Sequence, residues 1–299
     1  MIPYHIPVLA KESIDALDIK PKGVYVDATF GGGGHSKLIL DHIDTDSRLI
    51  GFDQDEDALA NVIEDNRFTF VHHNFRFLKR FLRLHGIRQV DGILADLGVS
   101  SHQLDEAERG FSYRFDAHLD MRMNQQSGET AADLVNTLTA EELQDLFSKY
   151  GEVRNSKMLA KAIVDKRQAL AIKTIGDFLA IVEPLIRGQK HRYLAQVFQA
   201  LRIAVNDEMG ALDDFFQQAM EVLKPGGRLV VITYHSIEDR LTKRLLKTGN
   251  VEGVVEKDFY GNINRPFKVI TKKAILPSTQ EIKENPRSRS AKLRVGEKK

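Results

Sequence analysis

The chain has 299 residues, 42% of them apolar, with no cysteine and no tryptophan. That length accommodates a large α/β domain beside a smaller one, and the missing thiols exclude disulfides, thiolate zinc sites, iron–sulfur clusters and cysteine nucleophiles. Net charge is +1, from 43 basic and 42 acidic residues, so the total does not speak for nucleic acid.

In chain order, residues 24–30 read as a buried strand that carries Asp27 and runs straight into Gly31, Gly32, Gly33 and Gly34. Residues 48–53 form a second strand ending on Asp53, residues 68–73 a third, and residues 90–97 a fourth with Asp96 at its end. Helical stretches over 36–44, 56–66 and 75–85 link them. This alternation predicts parallel strands with helices on both faces and a ligand crevice at the strands' carboxyl ends. It breaks between Asp105 and Arg202. There the capping signals Thr139/Glu142 and Thr174/Asp177, an amphipathic stretch over 156–170 and a helix ended by Pro184 predict a helical insertion. Helices over 196–206 and 212–223 follow, then a Pro225-Gly-Gly turn into a strand over 227–234, a short helix over 239–246 and a late strand over 267–274 that ends the sheet antiparallel. The expected division is therefore residues 1–105 and 205–276 as the α/β domain, 106–204 as the inserted helical domain and 277–299 as a basic tail.

The glycine run permits a sharp turn and close approach of a ligand, and the helix after it presents backbone N–H groups toward the crevice. Asp53 is placed to accept both hydrogens of a ribose diol. Asp27 holds the glycine loop or meets a cationic ligand group. A dinucleotide site shares this layout, but Asp96-Leu-Gly-Val99 puts a carboxylate and turn backbone where a methyl acceptor would sit, which favours S-adenosylmethionine over nicotinamide. With no cysteine, covalent carbon-5 methylation of a pyrimidine is disfavoured, and nitrogen or oxygen targets remain. The acids Asp53, Asp55, Glu56 and Asp57 lack metal-loop spacing, so no metal site is expected.

A resemblance covers nearly the whole chain. His5-Ile-Pro-Val8-Leu9, Asp27-Ala-Thr-Phe-Gly with Gly33-Gly-His-Ser36, Asp96-Leu-Gly-Val-Ser-Ser-His-Gln-Leu-Asp105, Gly110-Phe-Ser112, Leu119-Asp-Met-Arg-Met123 and Tyr150-Gly-Glu152 occur in order. Phe198-Gln-Ala-Leu-Arg-Ile203, Asn206-Asp-Glu208, Pro225-Gly-Gly-Arg-Leu229, His235-Ser-Ile-Glu-Asp-Arg240 and Asn285-Pro-Arg-Ser-Arg-Ser-Ala-Lys-Leu-Arg294 continue it. The chain resembles the bacterial small-subunit ribosomal RNA cytosine-N4 methyltransferase family (RsmH/MraW). The resemblance implies a Rossmann-like class I methyltransferase sheet with an inserted helical domain. It also implies methyl transfer from S-adenosylmethionine to N4 of a cytidine in the decoding region of 16S RNA. On the matching positions it implies cofactor contacts at Gly33, Gly34, His35, Asp53, Phe75, Asp96 and Gln103. Tyr234 stands where the family usually has Phe, Ile237 where it has Leu, and residues 192–197 lack an arginine usual there.

For the chemistry, Asp96 or its adjacent carbonyl is expected to accept a hydrogen of the target amine. His235 is the next candidate, as proton acceptor or as a scaffold residue bonded to Asp239, and Ser100 lies close enough in sequence to reach the methionine end or the base. Arg109, Arg114, Arg122 and Arg202, with Phe111 and Tyr113 as stacking surfaces, are expected RNA contacts. Arg287, Arg289, Lys292 and Arg294 of the basic C-terminal segment, and the cluster Arg187, Lys190, His191 and Arg192, supply outer phosphate contacts. The expected partner is 16S RNA in the small subunit or an assembly intermediate, with a homodimer left open. No stretch approaches the ~20 apolar residues of a membrane span, and the N-terminal residues lack signal-peptide regions, so the expected location is the cytoplasm. The competing readings are a nicotinamide-dependent oxidoreductase and a noncatalytic RNA-binding assembly factor.

Overall fold

The computed structural model describes residues 7–255, 257, 259–261 and 265–299. His5 and Ile6 of the first matching motif lie outside the described residues. The strands are β1 (Val24–Asp27), β2 (Arg48–Asp53), β3 (Phe68–His72), β4 (Val90–Asp96), β5 (Leu223–Thr233), β6 (Phe267–Val269) and β7 (Lys292–Lys298). The α-helices are α1 (Ala10–Leu17), α2 (Gly34–His42), α3 (Leu78–Leu84), α4 (Ser101–Asp105), α5 (Ala131–Thr137), α6 (Ala140–Gly151), α7 (Ser156–Arg167), α8 (Ile175–Val182), α9 (Lys190–Val205), α10 (Glu208–Val222), α11 (Ser236–Thr248) and α12 (Thr279–Glu284).

Two compact units result, one of Met1–Gly98 with Gly210–Lys299 and one of Val99–Met209. The first holds a seven-stranded sheet of order β3-β2-β1-β4-β5-β7-β6. β1 through β5 pair in parallel, while β7 runs antiparallel between β5 and β6. β1, β2 and β4 are buried on both faces, as central parallel strands require. Val26, Ile50, Phe52 and Ile93 face one apolar cluster with Phe215 and Phe216, and Tyr25, Leu49 and Leu94 face the other with Leu9, Leu17 and Ile39. Because β1 is central and β3 lies at one edge, the chain reverses its direction of winding across the sheet, and the carboxyl ends of β1, β2 and β4 open on one crevice.

Two expectations need correction. The helix expected over residues 56–66 does not form, and only a 3-10 segment at Glu56–Asn61 takes its place. Leu59 and Val62 stay 44% and 41% exposed, so burial does not stabilise a longer helix there. The C-terminal segment is not a free basic tail. It contributes α12 and then β7, whose Leu293 and Val295 are buried while Arg294 pairs with Asp239 at 2.6 Å. Period-2 alternation of apolar residues sits inside the Lys/Arg-rich stretch, and a count of charge conceals it.

The second unit is helical around a core of Phe147, Phe178, Leu159, Ile163, Val197 and Leu201. Reciprocal capping boxes start α5 at Thr130/Asp133, α6 at Thr139/Glu142 and α8 at Thr174/Asp177, each satisfying helix-end N–H groups that otherwise lack partners.

Candidate active site

The crevice in the sheet unit is built from strand ends. β1 pairs with β2 and β4, and the pairing continues just past it, where Ala28 N–H donates to Leu94 and Phe30 N–H to Phe52. The chain then turns through Gly31 and Gly33, both at positive φ (+50° and +74°), where a side chain would be strained. A β-carbon on Gly32 would meet no atom within 4 Å. This is an open floor that leaves room for a ligand against bare backbone. α2 begins immediately after Gly33, with no side chain capping its first N–H groups.

Asp27, 1% exposed, is fully committed to that turn: its Oδ2 accepts from Ser36 Oγ at 2.7 Å and its Oδ1 from Thr29 N–H at 3.1 Å. Of its two expected roles, the geometry favours holding the loop. Asp53 accepts from Gly31 N–H at 2.7 Å and Asp55 N–H at 2.9 Å, which fixes its carboxylate plane while each oxygen keeps a lone pair. Asp96 closes the row. Its N–H donates to Thr29 Oγ1 at 2.7 Å, its Oδ1 accepts from Tyr234 Oη at 2.8 Å, and its Oδ2 lies 3.8 Å from His35 Nδ1. Burial pushes the carboxyl groups of Asp27, Asp53 and Asp96 up to about 6 against the hydrogen bonds that favour their charge. Two partly exposed carboxylates, Asp53 and Asp96, favour a cationic ligand, and an uncapped helix start beside an open glycine floor favours a carboxylate or backbone-hugging group. A molecule bearing a sulfonium, an ammonium, a carboxylate and a ribose diol matches that donor and acceptor set.

The remaining expected residues make other contacts. Phe75 lies past β3 and packs edge-on against Phe215 at 5.2 Å. Ser100 and Gln103 cap each other at the start of α4, with Ser100 Oγ accepting from Gln103 N–H and Gln103 Oε1 from Ser100 N–H. His235 is the N-cap of α11, and its Nε2 lies 3.0 Å from Glu238 Oε1, poorly aligned for a hydrogen bond. Its expected scaffold partner, Asp239, instead holds Arg294. The reason is helical position: Glu238 stands at N3, one turn above the cap, and Asp239 faces β7.

Within the helical unit, Arg109 and Phe111 are buried at 5% and 6% exposure, with Arg109 donating to the carbonyls of Arg122 and Met123. Arg122 pairs with Asp120 at 2.8 Å and Arg202 with Glu208 at 2.7 Å. Arg114 is exposed and stands over Phe115, while Tyr113 is half-buried against Phe198. Arg187, Lys190, His191 and Arg192 are exposed together. In the sheet unit Arg294 is 9% exposed, Arg287 and Lys292 are half-buried and Arg289 is exposed. Sequence reasoning does not single out Tyr234, Thr29 or Glu238 as site residues. The one signal for Tyr234 is its place at the end of an apolar run.

Residues 3–299 match the model of the MraW methylase family. The chain belongs to that family. It is similar to ribosomal RNA small subunit methyltransferase H of Bacteroides thetaiotaomicron, 59% identical over 99% of this chain and 98% of that protein. The Flavobacterium johnsoniae protein of the same name is 55% identical over 99% of this chain and 98% of its own. Among solved structures, a putative rRNA-methylase from Clostridium thermocellum is 14% identical over 99% of this chain and 100% of that chain, with a TM-score of 0.46. The family model and these relatives bear out the expected family and methyltransferase activity, and the expected Rossmann-like sheet is present. The nicotinamide-dependent and noncatalytic readings have no support. Among the described residues, no helix of this MraW-family chain is long and apolar enough to cross a membrane.

Proposed function

We propose that this chain transfers a methyl group from S-adenosylmethionine to the exocyclic N4 of a cytidine in the decoding region of 16S RNA, in the cytoplasm, on the small subunit or an assembly intermediate. The observation that supports this most is the row of carboxylates at the ends of β1, β2 and β4, Asp27 buried and Asp53 and Asp96 partly buried, beside an open glycine floor. The cofactor supplies an electrophilic methyl group on a sulfonium. Gly33, Gly34 and His35, with the uncapped start of α2, hold its methionine end, Asp53 holds its ribose diol, and Phe75 borders its adenine.

Asp96 does the chemical positioning. The cytosine amine is weakly nucleophilic because its lone pair is delocalised into the ring. Asp96 Oδ2 accepts one amine hydrogen, which draws the nitrogen out of plane and turns its lone pair toward the methyl group. With the cofactor bound, Asp96 would take the surplus proton of the methylated nitrogen and pass it to solvent. His235, beside Glu238, acts as scaffold. Arg114 and the cluster Arg187, Lys190, His191 and Arg192 meet RNA phosphates, with Arg289 and Lys292 as further contacts.

Labelled methyl transfer from S-adenosylmethionine to small subunits that lack this modification tests the reading. Asp96→Asn is expected to lower single-turnover transfer at least about 100-fold, the loss of one well-placed proton acceptor, while leaving S-adenosylhomocysteine bound. A near-normal rate removes Asp96 from the chemistry.

A further inference from the structure

Asp96 has two carboxylate oxygens in different company. Oδ1 accepts from Tyr234 Oη at 2.8 Å. Oδ2 faces His35 Nδ1 across 3.8 Å. His35 is 6% exposed, and its Nε2 lies 3.0 Å from the Val8 carbonyl, an acceptor only, so Nε2 carries the hydrogen. Burial holds the imidazole below its ordinary range, so Nδ1 presents a lone pair. Two acceptors thus oppose each other with no donor of their own between them. A nitrogen seated about 2.9 Å from each satisfies both with two N–H bonds.

Which oxygen occupies this position depends on Tyr234. Its ring lies at the end of β5, where its N–H is held by Glu238 Oε2 at 2.9 Å, and burial pushes its phenol up so that it remains a donor. We propose that Tyr234 is a positioning residue for methyl transfer: its hydroxyl ties down Oδ1 of Asp96, so that Oδ2, opposite His35 Nδ1, is the oxygen that receives the hydrogens of the incoming amine. This rests on the role of Asp96 given above.

The titratable groups facing Asp96 are His35 from α2, Asp27 from β1, Tyr234 from the end of β5 and Glu238 from α11. The Tyr234 hydrogen bond favours its charged form, His35 does so only when protonated, and Asp27 and Glu238 oppose it. Removing the hydroxyl takes away one favourable contribution, so the carboxyl requires a higher pH to ionise. Tyr234→Phe keeps the ring. It is expected to move the acid limb of the pH profile of kcat/KM upward by about one unit, the size of one charge-assisted hydrogen bond after partial compensation. At high pH, where the carboxylate is ionised in both, the rate of the variant stays below wild type because Oδ1 is no longer tied down, and KM for S-adenosylmethionine changes less than kcat. On an Asp96→Asn background, Tyr234→Phe should add no further loss. Rates taken per S-adenosylhomocysteine-binding site remove any effect of misfolded protein. If Asp96→Asn transfers methyl normally, the underlying reading falls. If Asp96→Asn is inactive while Tyr234→Phe keeps the wild-type acid limb and rate, only the role of Tyr234 falls.

Discussion

Asp53 shows what a single partly buried carboxylate does in this crevice. Two backbone N–H groups orient it, and burial raises its pKa to about 6. Below that pH it binds a proton, becomes neutral and stops attracting a cation. Asp96 follows the same rule. Affinity for S-adenosylmethionine should therefore fall as pH drops through 6, by about tenfold at pH 5 for each carboxylate that must ionise. Titration calorimetry from pH 8 to pH 5 reads this directly, and a flat profile contradicts it. Asp53→Asn should cost roughly 1.5–3 kcal/mol of cofactor affinity, the range for a hydrogen bond to a charged group, and flatten part of the profile. The positions of these carboxylates are legible in the sequence because each ends or nearly ends an apolar run, and strand direction then aims all of them at one crevice. Tyr234 is not legible in this way, because its role depends on β5 pairing beside β4, a long-range fact that no local pattern carries.

At the scale of elements, β7 is the instructive case. Its sequence reads as cationic, yet Leu293 and Val295 are 0% and 1% exposed and the strand sits between β5 and β6. Charge and alternation point to different environments, and alternation prevails because the buried face decides the register. Leu293→Ala should destabilise the protein by about 2–5 kcal/mol, as for other large-to-small changes in a close-packed core. Urea unfolding monitored by circular dichroism checks this, and an unchanged midpoint would return β7 to a surface role. Capping boxes are the opposite case. Thr139/Glu142 and Thr174/Asp177 are local, and local chemistry is what a linear reading resolves. The stretch over 62–66 does not form a helix, because only Ile63 packs against the sheet core while Val62 stays exposed.

For the whole molecule, the helical insertion between β4 and α10 carries the open cationic surface, while several arginines expected at the RNA are spent on its interior. Arg122 and Arg202 are paired to acids and Arg109 is buried. Arg187, Lys190 and Arg192 are exposed. Replacing these three with glutamine should lower affinity for small-subunit RNA and reduce the salt slope by about 0.7–0.9 for each phosphate no longer neutralised. Arg122→Gln should instead lower unfolding stability. Filter binding across a salt series separates the two, and an unchanged slope in the triple variant removes the cluster from the interface. The most direct measurement concerns the product itself. Small subunits lacking the modification are treated with the protein and labelled S-adenosylmethionine, their RNA is digested to nucleosides, and the label is located by chromatography and mass spectrometry. The crevice chemistry predicts label in N4-methylcytidine and its disappearance with Asp96→Asn. Label in 5-methylcytidine, or none in RNA at all, would contradict it.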